Sequence, residues 1–258
     1  MKIHRPIKSN WLTQVFNENI AYAKLGEDGY PIRPFIIKGS QSGRTPNGYI
    51  PFYHALGMKG HNGWDHACWI GEPIYFPVDA PCEWWVRNYV DNDGGMGIDV
   101  FSDRPIDIGE LPKETGELAK QQYNGMYSKY DEKGKVYVKF RFHHISKSLI
   151  KDSENNIPNK PEGYRDTKVV LGTPIALGGN TGASSGAHLH WSLKIVANNS
   201  MTLDSDNGYF GAVDFKRYYI DKFVIDLLDE LTEQVLTLTQ VVKKLVFDVS
   251  MFISNLTK

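Results

Sequence analysis

Short apolar or alternating segments separated by turn signals dominate the middle of the chain and constrain its fold most. From about Tyr49 to Val196 these segments are PIYFPV, CEWWVRNYV, GIDVF, KVYVKFRF and HLHWSLKIV, and NDGG, EKGK and LGGNTG lie among them. Alternation with period two is typical of half-buried strands, and the Gly- and Asn-rich segments are typical of the turns between strands. The sequence therefore predicts a mainly β fold, an antiparallel sheet or sandwich with an open cleft.

Two polar stretches interrupt this pattern and are predicted to be insertions between strands. One covers about 102–135 and contains the weakly helical GELAKQQYNGMYSKY, and the other, at about 151–166, is typical of a surface loop. We expect three parts in the chain. They are a lead-in at 1–47 with the first strand and an insertion, a main domain at 48–200, and a linker followed by a helix at 201–258.

The last segment predicts a long α-helix at 221–257. It contains neither Gly nor Pro, and its apolar residues are alternately four and three positions apart over about five heptads. The seam is formed by Val224, Leu228, Leu231, Val235, Leu238, Val242, Leu245, Val249, Phe252 and Leu256. Mostly β-branched residues at position a and Leu at position d favour a parallel two-stranded coiled coil. Further apolar residues such as Ile225 and Val246 widen the stripe, so a higher oligomer, docking on the globular body and binding to a membrane surface stay open.

Composition excludes several classes of protein. Lys plus Arg is 29 and Asp plus Glu is 30, so a net charge of −1 gives no electrostatic reason to expect nucleic acid or an anionic membrane as partner. The N-terminal MKIHRPIKSNWLTQVF lacks the apolar region of a signal peptide, and no run of ~18 apolar residues predicts a transmembrane helix. We therefore expect synthesis in a cytoplasm. Cys68 and Cys82 cannot supply an all-thiolate zinc site and are expected to be separate thiols, although one bridge stays open.

Two short motifs together indicate a metal site. In the triplet from His188 to His190, positions i and i+2 point to the same face of a strand. His61 and Asp65, four residues apart, share a face on a helix or on a strand. Each motif alone is common and has a structural explanation. Together they offer two His and one carboxylate with an open fourth position, which is typical of a catalytic zinc site.

A third motif, FHHIS, ends the predicted strand KVYVKFRF and contains His143 and His144. In a continuous strand one of these side chains must point opposite to the other. A histidine beside a metal-bound water is suited to proton transfer and to stabilising a charged tetrahedral intermediate. The structural alternative is a strand-edge histidine that bonds to backbone.

With these blocks the chain resembles the lysostaphin/LytM-type zinc endopeptidases of bacterial cell walls. GMKGHNGWDHA resembles the family's HxGxD block, GEPIYFPVDAP the strand that follows it, FRFHHIS the Tyr-x-His-Leu-Ser block, and GGNTGASSGAHLHW the closing block. WLTQVFNEN is similar to the family's first strand. The resemblance covers roughly 48–195 without the insertions. Trp191 stands where Phe is commoner, and the turn at Pro81 and Cys82 departs from the usual Gly, which puts substrate choice in doubt.

The resemblance implies roles for particular residues. The zinc ligands that it implies are His61, Asp65 and His190. The catalytic histidines that it implies are His144 and His188. His143 is expected to be a structural or rim residue, and His66 is expected to point away from the metal if its segment is extended.

The activity that the resemblance implies is hydrolysis of peptide bonds in bacterial peptidoglycan by a water that Zn²⁺ activates. Two alternatives stay open: a non-catalytic structural or regulatory module of the same fold, such as a virion tail component, and a peptidase that acts on a protein. Without a signal peptide, we expect a protein that reaches the cell wall as a phage virion component or as a released lysin. The helix at 221–257 would then serve self-association or virion assembly.

Overall fold

A computed structural model describes residues 1–29, 31–37, 48–91, 95–150 and 168–256, and strands predominate. Numbered in chain order, the strands are β1 (Lys2–Arg5), β2 (Leu12–Gln14), β3 (Ala21–Leu25), β4 (Pro31–Ile37), β5 (Ile50–Pro51), β6 (Trp64–Ala67), β7 (Pro73–Tyr75), β8 (Val78–Asp79), β9 (Trp84–Asp91), β10 (Gly95–Ser102), β11 (Tyr137–His143), β12 (Lys147–Ser148), β13 (Pro174–Leu177), β14 (His188–Val196), β15 (Ala212–Val213) and β16 (Tyr219–Phe223). The helices are α1 (Phe52–Ala55), α2 (Glu117–Tyr123) and α3 (Val224–Leu256). The predicted mainly β class is confirmed. The loop predicted at 151–166 lies outside the described residues.

The central sheet carries the candidate site. Its strands are antiparallel in the order β2-β6-β14-β11-β10-β9, and β15 pairs with part of β14. The alternation seen in the sequence divides this sheet into an apolar and a polar face, because successive side chains point to opposite sides. On β14 the side chains on the apolar face are Leu189, Trp191, Leu193 and Ile195, all buried in the core. Those on the polar face are His188, His190, Ser192 and Lys194.

A small separate sheet joins β1 to β16, the strand that precedes α3. Strand β1 lies between β16, with which it is parallel, and β8, with which it is antiparallel. Phe215, just before β16, packs onto the core of the central sheet, with its ring centroid 4.5 Å from that of Trp191 and 4.8 Å from that of Trp64. The segment that leads into α3 is therefore part of the same packed body as the central sheet.

The polar stretch at about 102–135 contains α2, which confirms its predicted helical character. The carboxylate of Asp204 accepts hydrogen bonds from the backbone N–H groups of Leu118 (3.0 Å) and Ala119 (2.9 Å), so it caps the helix from a distant segment. The buried amide of Gln122 donates to the Val196 carbonyl at 2.9 Å and accepts from the Tyr137 N–H at 3.2 Å. These bonds attach the stretch to the central sheet.

Helix α3 projects from the body after its first turns. Val224 is buried, whereas every side chain from Asp229 to Val246 is exposed, Leu238 by 63%. A helix of 33 residues is about 50 Å long. Within the described part of the chain, no helix combines the length and the apolar character that crossing a membrane requires. Cys68 and Cys82 are unpaired, as predicted.

A buried ion cluster connects β9, β10 and β11. The fully buried carboxylate of Asp99 accepts from Arg141 Nε at 2.6 Å and Nη2 at 2.8 Å and from Arg87 Nη2 at 2.8 Å, and Lys139 Nζ lies 3.9 Å away. Burial alone would raise the pKa of Asp99, but the hydrogen bonds and charge of Arg141, then Lys139 and Arg87, lower it to about 2.

Replacing Asp99 by Asn is expected to lower the free energy of unfolding by about 3 kcal/mol at pH 7, because the clustered cations lose their buried counter-charge. A carboxyl whose pKa is depressed on folding stabilises the native state above its unfolded pKa near 4, and this contribution is lost as the pH falls towards about 2. Urea titrations at pH 7, 4 and 2.5 should therefore show a flatter pH dependence for Asp99→Asn than for wild type. Glu132→Gln, which removes an exposed ion pair with Lys135, is the control and should behave as wild type.

Candidate metal centre

A cavity of about 620 Å³ opens on the polar face of the central sheet. Its lining includes all five residues that the sequence predicts for the site: His61, Asp65, His144, His188 and His190. They come from four places in the chain. His61 precedes β6, Asp65 lies on β6, His144 follows β11, and His188 and His190 open β14. The antiparallel register β6-β14-β11 brings them together.

His61, Asp65 and His190 form the most compact group in the cavity. Asp65 and His190 are paired across β6 and β14. His61 Nε2 lies 2.9 Å from His190 Nδ1 and 3.2 Å from Asp65 Oδ1, and the last two atoms are 2.9 Å apart. In tetrahedral Zn²⁺ sites with bonds of about 2.0–2.2 Å, ligand atoms lie about 3.3 Å from one another. Both the donor atoms and their spacing therefore fit a divalent metal of this kind, and the group can hold one.

The protonation states of this group also suit a metal. Burial alone would raise the pKa of Asp65, but the imidazoles of His61, His188 and His190 hold it well below its usual range. Burial lowers the pKa of His190 to about 4. His61 Nδ1 lies 3.2 Å from the Val15 carbonyl oxygen, which can only accept, so this nitrogen carries the proton and leaves Nε2 as a ligand atom. A carboxylate and neutral imidazoles are the forms that bind a metal.

His144 and His188 form a second pair beside this group, with ring centroids 4.6 Å apart. Each donates its Nδ1–H to a backbone carbonyl at 2.8 Å, His144 to Thr181 and His188 to Gly186. The lone pair of each Nε2 is thereby available, and His188 Nε2 lies 3.8 Å from Asp65 Oδ2. Burial, then the charges of His188 and His190, lower the pKa of His144 to about 3, which keeps this imidazole neutral.

One expectation about the adjacent histidines is wrong. His143 and His144 do not point to opposite sides, since both line the cavity. His143 keeps the strand direction, and its ring centroid is 5.2 Å from that of His190. His144 leaves β11 with φ = +60°, an αL conformation that turns its side chain back to the same face. Such strained residues concentrate at functional sites. His66 points to the core, as expected, and accepts a 3.1 Å bond from Trp191 Nε1.

Several cavity residues have no motif in the sequence. Tyr53 on α1 is buried, donates its hydroxyl to Gln14 Oε1 at 2.8 Å, and has its ring centroid 5.3 Å from that of His61. Arg141 and Lys194 also line the cavity. In the sequence, these two cations are marked only by their even spacing from His143 and His190 along the strands. This spacing predicts that they share a face with the histidines, but it does not indicate a function.

Gly63 lies against His190, one of the three residues of the compact group, so a substitution at this position tests the geometry of that group. A Cβ at this position would lie 2.5 Å from the Trp191 carbonyl oxygen and 2.7 Å from His190 Cε1. Gly63→Ala is therefore expected to displace His190, to destabilise the protein by about 1–3 kcal/mol and to weaken Zn²⁺ binding at least about tenfold. Thermal unfolding and competition with a zinc-binding dye measure the two effects. Gly186→Ala, which meets nothing within 4 Å, is the control, and equal behaviour of the two variants would contradict the prediction.

Comparison with known proteins gives matches among solved structures, whereas no family model and no curated protein matches the chain. A zinc-containing peptidase from Vibrio cholerae matches at 18% identity and a TM-score of 0.39, over 80% of this chain and 39% of that one. The catalytic domain of the antimicrobial peptidase lysostaphin from Staphylococcus simulans matches at 21% identity and a TM-score of 0.29, over 58% and 80%. A catalytic-domain variant of the prophage-encoded M23 protein EnpA from Enterococcus faecalis matches at 14% and 0.32, over 78% and 95%.

The chain thus spans 39% of the length of the first of these relatives.

Proposed function

We propose that the cavity is the active site of a zinc-dependent endopeptidase of the lysostaphin/LytM type, which hydrolyses peptide bonds of bacterial peptidoglycan. The observation that carries the proposal is the compact group of His61, Asp65 and His190 with the imidazole pair His144 and His188 beside it. Three protein ligands and an open position are typical of catalytic zinc sites. Peptidoglycan as substrate is supported by the four sequence blocks that resemble this family.

In this proposal each side chain has a definite task. His61, Asp65 and His190 would hold Zn²⁺. When bound, the ion would act as a Lewis acid and lower the pKa of water at the site to about 7. The Nε2 lone pairs of His144 and His188 accept a hydrogen bond or proton from the attacking water, because their Nδ1–H groups are held by carbonyls. Once protonated, either imidazole can donate to the oxyanion or to the leaving amine.

The test uses the purified full chain with Zn²⁺, a suspension of peptidoglycan and a chelator. We expect clearing of the suspension with zinc, no clearing after chelation, and new amino termini in the soluble fragments by mass spectrometry. Stoichiometric zinc without cleavage of any wall type would instead indicate a non-catalytic module of the same fold. Cleavage of denatured casein but not of peptidoglycan would indicate a protein peptidase.

We also propose that α3 associates with a second copy of itself. A second copy is the expected partner because the a/d seams of two such helices complement each other. The seam is also exposed in the single chain, Val235 by 62%, Leu238 by 63% and Leu245 by 62%. A solvated helix of this length with an exposed apolar stripe is unfavourable in a monomer. A role of α3 in assembling a virion or another particle would depend on this self-association.

Leu238→Glu is expected to shift the protein from oligomer to monomer at micromolar concentration, because it places a charge in the seam. Gln240→Glu adds the same charge two residues away, on the outer side of the predicted coil, and should leave the oligomer intact. Light scattering coupled to size exclusion gives the molar mass of each. A wild-type monomer at these concentrations would rule out the association.

A further inference from the structure

Of the three residues of the compact group, His61 alone lies outside the strands. Asp65 and His190 face each other on β6 and β14, and the backbone hydrogen bonds between these strands fix their positions. His61 precedes β6 by three residues, in a segment that is neither helix nor strand. Metal ligands have to be held to within about 0.5 Å of their bonding positions, so contacts other than a strand ladder must fix His61.

A turn at residues 15–18 supplies these contacts. It is closed by the Glu18 N–H, which donates to the Val15 carbonyl at 3.3 Å. The His61 N–H donates to the Glu18 carbonyl at 3.0 Å, and the His61 carbonyl accepts from the Asn17 N–H at 2.8 Å. The Val15 carbonyl oxygen, 3.2 Å from His61 Nδ1, also orients the imidazole. Both the backbone and the side chain of this residue are therefore bound to one turn.

The side chain of Glu18 stabilises the turn. Its carboxylate accepts a hydrogen bond from the Val15 N–H at 3.0 Å. Glu18 thus binds Val15 with its backbone N–H and its side chain, and it binds His61 with its carbonyl. Residues that hydrogen-bond around a metal ligand set the orientation and the tautomer of its imidazole. Loss of this carboxylate is therefore expected to loosen the carbonyl that orients His61.

A second support comes from a residue 192 positions further along the chain than Asn17. The Tyr209 hydroxyl donates to Asn17 Oδ1 at 2.7 Å, and the Tyr209 ring centroid lies 4.6 Å from that of Phe16. Asn17 has φ = +66°, a left-handed conformation that costs free energy in residues other than Gly and depends on the surrounding contacts. Tyr209 is itself held by Asn207, whose Oδ1 accepts from the Tyr209 N–H at 2.9 Å.

The residues just before His61 pack against the same two segments. The Lys59 N–H donates to the Gly208 carbonyl at 2.9 Å, and the Lys59 carbonyl accepts from Asn19 Nδ2 at 2.9 Å. A Cβ at Gly60 would lie 2.8 Å from the Asn17 carbonyl oxygen, so the two backbones are in close contact. Residues 15–19, 59–61 and 207–209 therefore form one connected unit around His61.

We propose that the 15–18 turn is the positioning element of the metal ligand His61, and that Glu18 and Tyr209 keep this turn in place. Both are positioning residues, because they act on the metal through His61. This inference rests on the metal centre of the proposed function and adds two residues to it. It also assigns part of the segment predicted as a linker, at 201–258, to the support of the metal centre.

The test measures the Zn²⁺ affinity of the full chain by competition with a zinc-binding dye. Glu18→Ala should weaken binding about 10- to 100-fold, the usual effect of removing a residue that orients a metal ligand. Glu18→Gln keeps a side-chain acceptor for the Val15 N–H and should restore most of the affinity. Tyr209→Phe keeps the aromatic ring and removes one hydrogen bond, so it should weaken binding about 3- to 10-fold.

Tyr218→Phe is the matched control for Tyr209→Phe. Tyr218 and Tyr209 are equally buried, each 8% exposed, and the Tyr218 hydroxyl donates to the Glu110 carbonyl at 3.0 Å, away from the 15–18 turn. The control should lose a similar amount of thermal stability and bind Zn²⁺ as wild type does. The absorption bands of bound Co²⁺ give a second readout, because they report the geometry of the ligands. They should change in Glu18→Ala and stay unchanged in Tyr218→Phe.

A double-mutant cycle tests whether Tyr209 acts through the turn. Asn17→Gly tolerates the positive φ and removes the acceptor of the Tyr209 hydroxyl. In this background Tyr209→Phe should cause no further loss of Zn²⁺ affinity, whereas independent effects would add. Additive losses would overturn the route through Asn17.

Wild-type Zn²⁺ affinity in both Glu18→Ala and Tyr209→Phe would overturn the proposal. An equal loss of affinity in Tyr218→Phe would also overturn it, since the variants would then act only through overall stability. If zinc binding responds as expected but the chain cleaves no peptidoglycan, the positioning role stands and the proposed hydrolysis fails. A wild-type chain that binds no zinc would overturn both.

Discussion

His188→Ala is expected to lower kcat on peptidoglycan by about 10²- to 10⁴-fold, the usual contribution of a general acid or base. The reason is geometric, since its Nδ1–H is held by the Gly186 carbonyl at 2.8 Å and its Nε2 lies in the cavity, 3.8 Å from Asp65 Oδ2. The same loss is expected for His144→Ala. His54→Ala, which removes an exposed histidine on α1, should keep wild-type turnover.

The measurement is initial hydrolysis of a soluble muropeptide, together with the zinc content of each variant. Zinc should remain stoichiometric in His188→Ala, because His61, Asp65 and His190 approach one another to within 3.2 Å without it. Wild-type-like turnover in purified His188→Ala would remove this residue from the chemistry.

His190→Ala should weaken Zn²⁺ binding by more than about 100-fold. Mutation of a residue that only hydrogen-bonds to a metal ligand already lowers metal affinity by about 10- to 100-fold, and His190 is itself the proposed ligand. The expected result is a dialysed protein with little zinc by mass spectrometry and no hydrolysis, whereas wild type holds one zinc per chain. Asp65→Ala and His61→Ala should behave in the same way.

His188→Ala is the matched control for this loss, because it removes a histidine two residues away on the same face of β14. The two variants should therefore both lose activity and differ in metal content. Stoichiometric zinc in His190→Ala would contradict the assignment of this residue as a ligand.

Local patterns predicted the mainly β class, the long C-terminal helix and the side chains that share a face of the strand HLHWSLKIV. Alternation along HLHWSLKIV is enough to predict a strand with Leu189 and Trp191 in the core and both histidines on the other face. The heptad spacing predicted 221–257 as helix, and α3 covers Val224–Leu256. These features depend on the spacing of side chains a few residues apart, and this spacing can be read from a single sequence.

Long-range register and local backbone exceptions could not be predicted in this way. The αL conformation of His144 overrides the strand alternation that separates neighbouring side chains, and no residue type in FHHIS demands it. The cap of α2 by Asp204 joins residues 85 positions apart. Arg141 reaches the cavity floor only because β11 pairs with β14 in one particular register. Each of these depends on tertiary contacts that propensity and spacing do not encode.

The small sheet of β16, β1 and β8 has a mechanical consequence for a protein with a long projecting helix. Helix α3 continues directly from β16, and β16 pairs with β1, where Arg5 Nη1 bonds to Asp221 Oδ1 at 2.5 Å. A pulling force on α3 is therefore applied first to β16, which is held by its pairing with β1 and by the ring of Tyr219, whose centroid lies 4.7 Å from that of Trp64 on β6. Tension on the helix is thus shared between the β1–β16 pair and the core beneath the strands that carry the histidines.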